Sequence, residues 1–221
     1  MKRSNYIVYD CETGGLDPTQ NPITSFAALV LDFHTLKEVD RWETYVKPYN
    51  GLQITKESIQ RTMVNIAEVN RGMELDDFVD TFANFATQNF SDAKSKDLRR
   101  LIAVGHNISF DNGMLKAAFE YSSRKFDLYQ FIQEQTLDTM YLAKMMYCVK
   151  GDEKLTLGSV CERAGITLTD AHGAMNDVEA TADFFRFCIK RLRSGGKVVS
   201  TAQDKKGRVK GDDFFKFKCA K

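Results

Sequence analysis

Long apolar runs are missing from this chain. The early stretch Tyr6 to Tyr9 is cut short by Asp10, far below the roughly 18 to 20 residues that a membrane helix requires. It is also too short for the apolar centre of a secretory signal, so neither membrane insertion nor export is expected and the sequence reads as cytoplasmic. Paired cysteines are missing as well. Cys11, Cys148, Cys161, Cys188 and Cys219 are odd in number, widely scattered and without a C-x-x-C pair, which argues against a disulfide framework, a zinc knuckle or a dithiol redox centre. They read as reduced thiols, with Cys11 and Cys188 at apolar positions where a small thiol packs as a hydrophobe. There is no internal repeat and no low-complexity segment, and the 221 residues hold no polymerase domain.

What remains is an ordinary globular composition, 43% hydrophobic and 28% charged, enough for one well-cored domain with an appendage. The boundary is drawn at residues 1–193 for the domain and 194–221 for a tail. The net charge of +1 conceals an asymmetry: from Lys190 onward eleven Lys or Arg face three Asp, so that end carries +8 and the rest of the chain −7. A body of that sign repels phosphates unless cations neutralise some of its carboxylates.

Tyr6 to Asp10 reads as a buried strand, and Ile23 to Phe33 as a second, rich in β-branched and aromatic residues. Gly14, Gly15 and Pro18 supply the turn between them. A third strand, Glu38 to Val46, completes an expected antiparallel meander. Helical spacing then takes over at Leu75, Phe78, Val79, Phe82, Phe85 and Ala86. Leu101 to Val104 is a short strand, followed by helical segments around Asp111 to Tyr121, Thr139 to Tyr147 and Leu155 to Ala164. A last helix carries Ala174, Val178, Thr181, Phe185, Cys188 and Leu192 on one face.

Asp10 and Glu12 stand two apart at the end of the first strand, which sends both side chains to one sheet face and Cys11 to the other. An acidic pair closing a core strand is costly to desolvate, and a bound cation offsets that cost. Asp111 follows the strand Leu101 to Val104 at or near a helix start. His172 and Asp177 lie five apart where the last helix begins, with Asp177 at the margin of its apolar face. Each signal has an ordinary reading when taken alone: solvated loop acids, an N-cap aspartate, a helix-surface acid. Together they gather four carboxylates and a histidine, the set that two divalent cations 3.5 to 4 Å apart and a proton acceptor need for phosphoryl displacement.

The segments Asp10-Cys11-Glu12-Thr13-Gly14-Gly15-Leu16, His106-Asn107 with Phe110-Asp111, and His172 with Asp177 resemble the three exonuclease motifs of the DnaQ-like DEDDh family, which includes the exonuclease domain of the DNA polymerase III epsilon subunit. The resemblance covers Tyr6 to Leu192. It implies a ribonuclease H-like α/β fold with a central five-stranded mixed sheet flanked by helices. It further implies that Asp10, Glu12, Asp111 and Asp177 bind two Mg²⁺ or Mn²⁺ ions and that His172 is the general base. Thr13 and Leu16 would hold the 3′-terminal nucleotide, Leu16 as a wedge against its base, with Asn107 and Phe110 buttressing the site. Gly14 would share in binding the terminal nucleotide, although it departs from the pattern, since many relatives carry a second threonine there. His106 reads as a supporting residue, and Asp138 as the N-cap of the helix from Thr139.

The expected function is therefore 3′-to-5′ hydrolysis of nucleic acid, DNA favoured, from a free 3′ end to nucleoside 5′-monophosphates, in a proofreading setting. The motifs are shared by RNA exonucleases of oligoribonuclease or RNase T type, which remain an alternative. The tail offers a third reading. Its basic residues, with Phe214, Phe215 and Phe217 among them, suit either phosphate attraction or docking on a polymerase or sliding clamp.

Overall fold

The computed structural model describes residues 4–93, 95, 98–147, 155–168 and 173–194. Its centre is a five-stranded sheet in the order β3-β2-β1-β4-β5, formed by β1 (Tyr6–Thr13), β2 (Ile23–Leu31), β3 (Glu38–Tyr45), β4 (Ile102–Gly105) and β5 (Leu137–Asp138). The first three strands are an antiparallel meander, as their sequence predicts. β4 then joins β1 in parallel, and β5 joins β4 in parallel, so the sheet is mixed.

The alternation of β1 sorts its side chains into two layers. Ile7, Tyr9 and Cys11 pack against α3 (Leu75–Gln88) and α4 (Ile108–Tyr121), among Phe78, Phe82, Leu115 and Phe119. Tyr6 and Val8 pack on the opposite side against Val178, Ala182 and Phe185 of α7 (Ala174–Arg193). β2 is buried along its whole length between β1 and β3, with an unbroken apolar run from Phe26 to Leu31. β3 lies at the sheet edge and alternates between exposed and half-buried residues.

Several boundaries differ from the sequence expectation, each for a local reason. β2 ends at Leu31 because Asp32 Oδ1 accepts the amides of His34 and Thr35 at 3.1 and 2.7 Å, closing a side-chain-capped turn. α4 starts at Ile108, so Asp111 sits inside its first turn; Asn107, left-handed at φ 64°, is the cap. α6 (Leu157–Ala164) starts two residues late because Thr156 is its N-cap, accepting the Ser159 amide at 3.3 Å. α5 (Thr139–Tyr147) has the expected limits. Two short helices, α1 (Lys56–Thr62) and α2 (Ile66–Val69), have too few turns to show periodicity and were not expected. Leu192, placed by spacing on the apolar face of α7, is 61% exposed in the helix's final turn, beyond the sheet it would have covered.

Cys11, Cys161 and Cys188 are buried free thiols, whereas Cys148 and Cys219 lie outside the described residues. No helix among the described residues is long and apolar enough to cross a membrane. The proposed tail, 194–221, lies outside the described residues apart from Ser194, as does His172.

Candidate active site

β1 and β4 pair only over Tyr6 to Val8 and Ile102 to Val104, so β1 runs on beyond its parallel neighbour. The chain leaves β1 toward β2 on one side and leaves β4 toward β5 on the other. A crevice opens where the two directions part, at the carboxyl ends of the strands, the usual position for a ligand in such sheets. Asp10 and Glu12 project from this overhanging end on the α7 side, as their spacing predicts. Asp177, in the first turn of α7, meets them there: one oxygen of each of the three carboxylates lies within 4.8 Å of the others.

Asp111 approaches from α4. It is only 4% exposed, and its Oδ1 accepts the amide of Cys11 at 3.0 Å, which fixes it against the strand between Asp10 and Glu12. Burial raises its carboxyl to about 7, against the opposing pull of its backbone hydrogen bonds. Glu12 is also raised to about 7, by burial and then by Asp177, while the charge of Arg61 acts in the other direction. Asp10 is pushed well above the ordinary carboxylate range by burial, then by Asp111, Glu12 and Asp177. Acids crowded in this way favour the charged form only when a cation joins them. The donors are all carboxylate oxygens, the ligand set of a hard divalent ion, so the residues fit a metal.

The crevice widens into a cleft of about 810 Å³. Thr13 and Leu16 line one side of it; Leu16 is 72% exposed, whereas Thr13 is buried and donates from Oγ1 to the Gly15 carbonyl at 2.7 Å. His106, Asn107 and Phe110 line a second side. The left-handed turn at Asn107 is held by Asp138, whose Oδ1 accepts the amides of Asn107 at 3.0 Å and Met140 at 2.8 Å. Asp138 therefore caps α5, as expected, and also ties that helix to the start of α4. His106 is bonded through both ring nitrogens, Nδ1 to Thr139 Oγ1 at 3.0 Å and Nε2 to the Leu155 carbonyl at 2.7 Å. Burial lowers its pKa, so the neutral ring donates from Nε2 and acts as a clip between β4 and the strand of chain entering α6.

Gly14 does not line the cleft. Its amide donates to the Pro22 carbonyl and its own carbonyl accepts from the Thr55 amide, both at 2.8 Å, and a Cβ there would sit 2.8 Å from Pro22 Cδ and 2.9 Å from the Gln53 oxygen. Glycine permits this close passage of two backbones, where any side chain would crowd Pro22 and the Gln53 carbonyl. A further wall, missed by sequence reasoning, is α1 with Thr55, Glu57, Ser58, Arg61 and Thr62. Its one sequence signal is the cap: Thr55 Oγ1 accepts the Ser58 amide at 3.0 Å, a Thr-x-x-Ser start too common to have been singled out.

The sheet order and the acidic end of β1 can be set beside known proteins. A family model described as RNase_T, exonuclease, matches residues 7–185. The chain belongs to the RNase_T exonuclease family. Among its curated relatives, Ribonuclease T of Marinobacter nauticus is 28% identical over 198 residues, covering 86% of this chain and 84% of that protein. The PolC-type DNA polymerase III of Clostridium perfringens is 26% identical over 188 residues, and there the match covers 85% of this chain but only 11% of the polymerase. Two solved structures share the fold: E. coli exonuclease I in complex with a dT13 oligonucleotide, at a TM-score of 0.64 and 20% identity over 87% of this chain and 42% of that one, and a 3′-exonuclease recognising a histone mRNA stem-loop, at 0.68 and 15% over 89% and 66%. As a member of the RNase_T family the chain has the five-stranded ribonuclease H-like architecture that its motifs imply.

Proposed function

We propose that this protein hydrolyses nucleic acid from a free 3′ end, releasing nucleoside 5′-monophosphates, with Asp10, Glu12, Asp111 and Asp177 holding two Mg²⁺ or Mn²⁺ ions and His172 as general base. The observation that carries the reading is the convergence of three carboxylates within 4.8 Å at the end of β1, with Asp111 buried beside them. Bound divalent cations would supply a polarised phosphoryl group and an activated water. Oxygen-only ligands favour Mg²⁺ or Mn²⁺ over softer metals.

The chain's own groups do the remainder. Asp111, fixed on α4, is held in register with Asp10 and Glu12 of β1 by accepting the Cys11 amide. Leu16, exposed at the rim, would wedge against the terminal base, and Phe110, which also lines the cleft, would offer an aromatic contact. Thr13 borders the space that the terminal sugar would occupy, while Asn107 is held at the mouth by Asp138. His172 would accept the proton of the attacking water.

DNA is the favoured substrate, since the exonuclease I structures carry dT13 and dA16 oligonucleotides and the PolC-type relatives are DNA polymerases. RNA is the second reading, supported by a match that runs over four fifths of Ribonuclease T. The same polymerase relatives favour a proofreading association; a cytoplasmic setting, and a docking or phosphate-binding role for the basic segment 194–221, belong to the same proposal. End-labelled single-stranded DNA and RNA of one sequence, offered with Mg²⁺, Mn²⁺ or chelator beside a closed circle, test the proposal. Stepwise loss from the 3′ end in metal alone is expected; cleavage of the circle or release of 3′-phosphates overturns it.

A further inference from the structure

Glu57, Ser58, Arg61 and Thr62 all line the cleft, the spacing of one face of a short helix. That helix is bolted to the catalytic strand. The Thr55 amide donates to the Gly14 carbonyl at 2.8 Å, and the Ser58 hydroxyl donates to the Thr13 carbonyl. Arg61 stands one turn beyond Ser58 on this fixed support, close enough for its charge to be felt at Glu12.

Two features set Arg61 apart. Among the described residues, the cleft wall carries five carboxylates, Asp10, Glu12, Glu57, Asp111 and Asp177, and Arg61 is its one Lys or Arg. Arg61 also makes no hydrogen bond or ion pair among the described residues. The other described arginines are engaged: Arg41 with Glu38 and Glu179, Arg71 with Glu68, Arg124 with Asp80 and Arg186 with Asp183. Arg99, Arg100 and Arg193 donate to backbone carbonyls, and Arg163 and Arg191 lie over the rings of Tyr147 and Phe187. A guanidinium with no bonded partner is open to an incoming anion, and its planar fork matches phosphate oxygens in two-point contact.

We propose that Arg61 grips a backbone phosphate of the strand entering the cleft, beside the carboxylate cluster. The inference rests on the exonuclease reading for its substrate class and deepens it by naming the protein's own cation on the entry wall. The competing explanation is that Arg61 serves the carboxyl end of α1, where a positive charge is favourable to the helix. In that case its loss would lower the melting temperature and leave binding alone.

The test compares the full-length wild type with Arg61→Gln and Arg61→Lys. A fluorescent single-stranded DNA oligonucleotide with phosphorothioate linkages at its 3′ end, which persists through the measurement, is titrated by anisotropy in Mg²⁺ over a range of KCl. For Arg61→Gln the expected result is a loss of affinity of roughly 5- to 10-fold and a salt slope shallower by about 0.7, the loss of one phosphate contact on a single strand. Arg61→Lys should restore the slope and only part of the affinity. With cleavable substrate, KM should rise in Arg61→Gln while kcat holds. Unchanged affinity and slope in Arg61→Gln, with or without a shifted melting temperature, overturn the proposal, as does a fall in kcat without a change in binding. A wild type that binds the oligonucleotide but leaves 3′ ends intact sinks the exonuclease reading instead, and the anisotropy result still decides on Arg61.

Discussion

Asp111→Asn should cost the protein its hydrolytic activity and make it more stable when metal is withheld. The carboxyl titrates at about 7 against an ordinary 3.8, mainly because it is buried. A folded-state value above the unfolded one means that the folded protein holds the proton more tightly. Wild-type stability therefore falls as pH rises from about 4 to about 7, and stays at the lower level above that. Three pH units correspond to about 4 kcal/mol at most. Asparagine keeps an oxygen for the Cys11 amide but brings an NH₂ group that must find a partner, which reduces the gain to about 2 kcal/mol. For a chain of this length that is a rise in Tm of roughly 4 to 8 °C. Thermal melts in chelator between pH 4 and pH 8.5 provide the assay. At pH 4, where the wild-type carboxyl is still protonated, only the cost of the NH₂ group remains and the variant should be the less stable; by pH 8 it should be the more stable by about 2 kcal/mol. Added Mg²⁺ should then raise the wild type alone, since a ligand that binds only the folded state stabilises it by mass action. A variant no more stable than wild type at pH 8 in chelator, or a difference that does not shift in the variant's favour as pH rises, would refute the reasoning.

Asp10→Ala, Glu12→Ala and Asp177→Ala should each abolish hydrolysis and the Mg²⁺-dependent rise in Tm; near wild-type turnover in any of them removes that residue from the proposed cage. His172→Ala should lower kcat by roughly 10²-fold with KM little changed, and steady-state kinetics showing a KM effect instead would make it a binding residue. Gly14→Thr, which brings in the residue common in relatives, should destabilise by about 2 kcal/mol through collision with Pro22 and Gln53 rather than improve substrate affinity, as a denaturant titration beside a KM measurement would show.

Much of the site could be read from the sequence because its signals are local. The period of two along β1 was enough to place Asp10 and Glu12 together, and the apolar spacing of α7 put Asp177 near the sheet. Asp138 was recognised as a cap because its carboxylate sits directly ahead of a helical run. What escaped depends on distant partners. α1 has seven residues and no periodicity to show, and it becomes a wall of the cleft only through bonds from Thr55 and Ser58 to residues more than forty positions earlier. β5 is two residues long and exists as a strand only because β4 lies beside it. Gly14 was read from its position in the motif alone, and the close packing of Pro22 and Gln53 on it, which leaves no room for a side chain, is invisible there.

The hydrogen bond from the Cys11 amide to Asp111 gives the sheet an unusual boundary. β4 has already ended at this level, so a side chain of α4 receives a backbone donor that points away from β2. A carbonyl in that place would accept with constant strength. A carboxylate accepts strongly when charged and weakly when protonated, so the outermost rung of the central strand has a strength set by whatever occupies the cleft. The amide of Cys11 is thereby a built-in gauge: its rate of exchange with solvent deuterium reports the charge state of the centre from inside the backbone, with no substrate turned over.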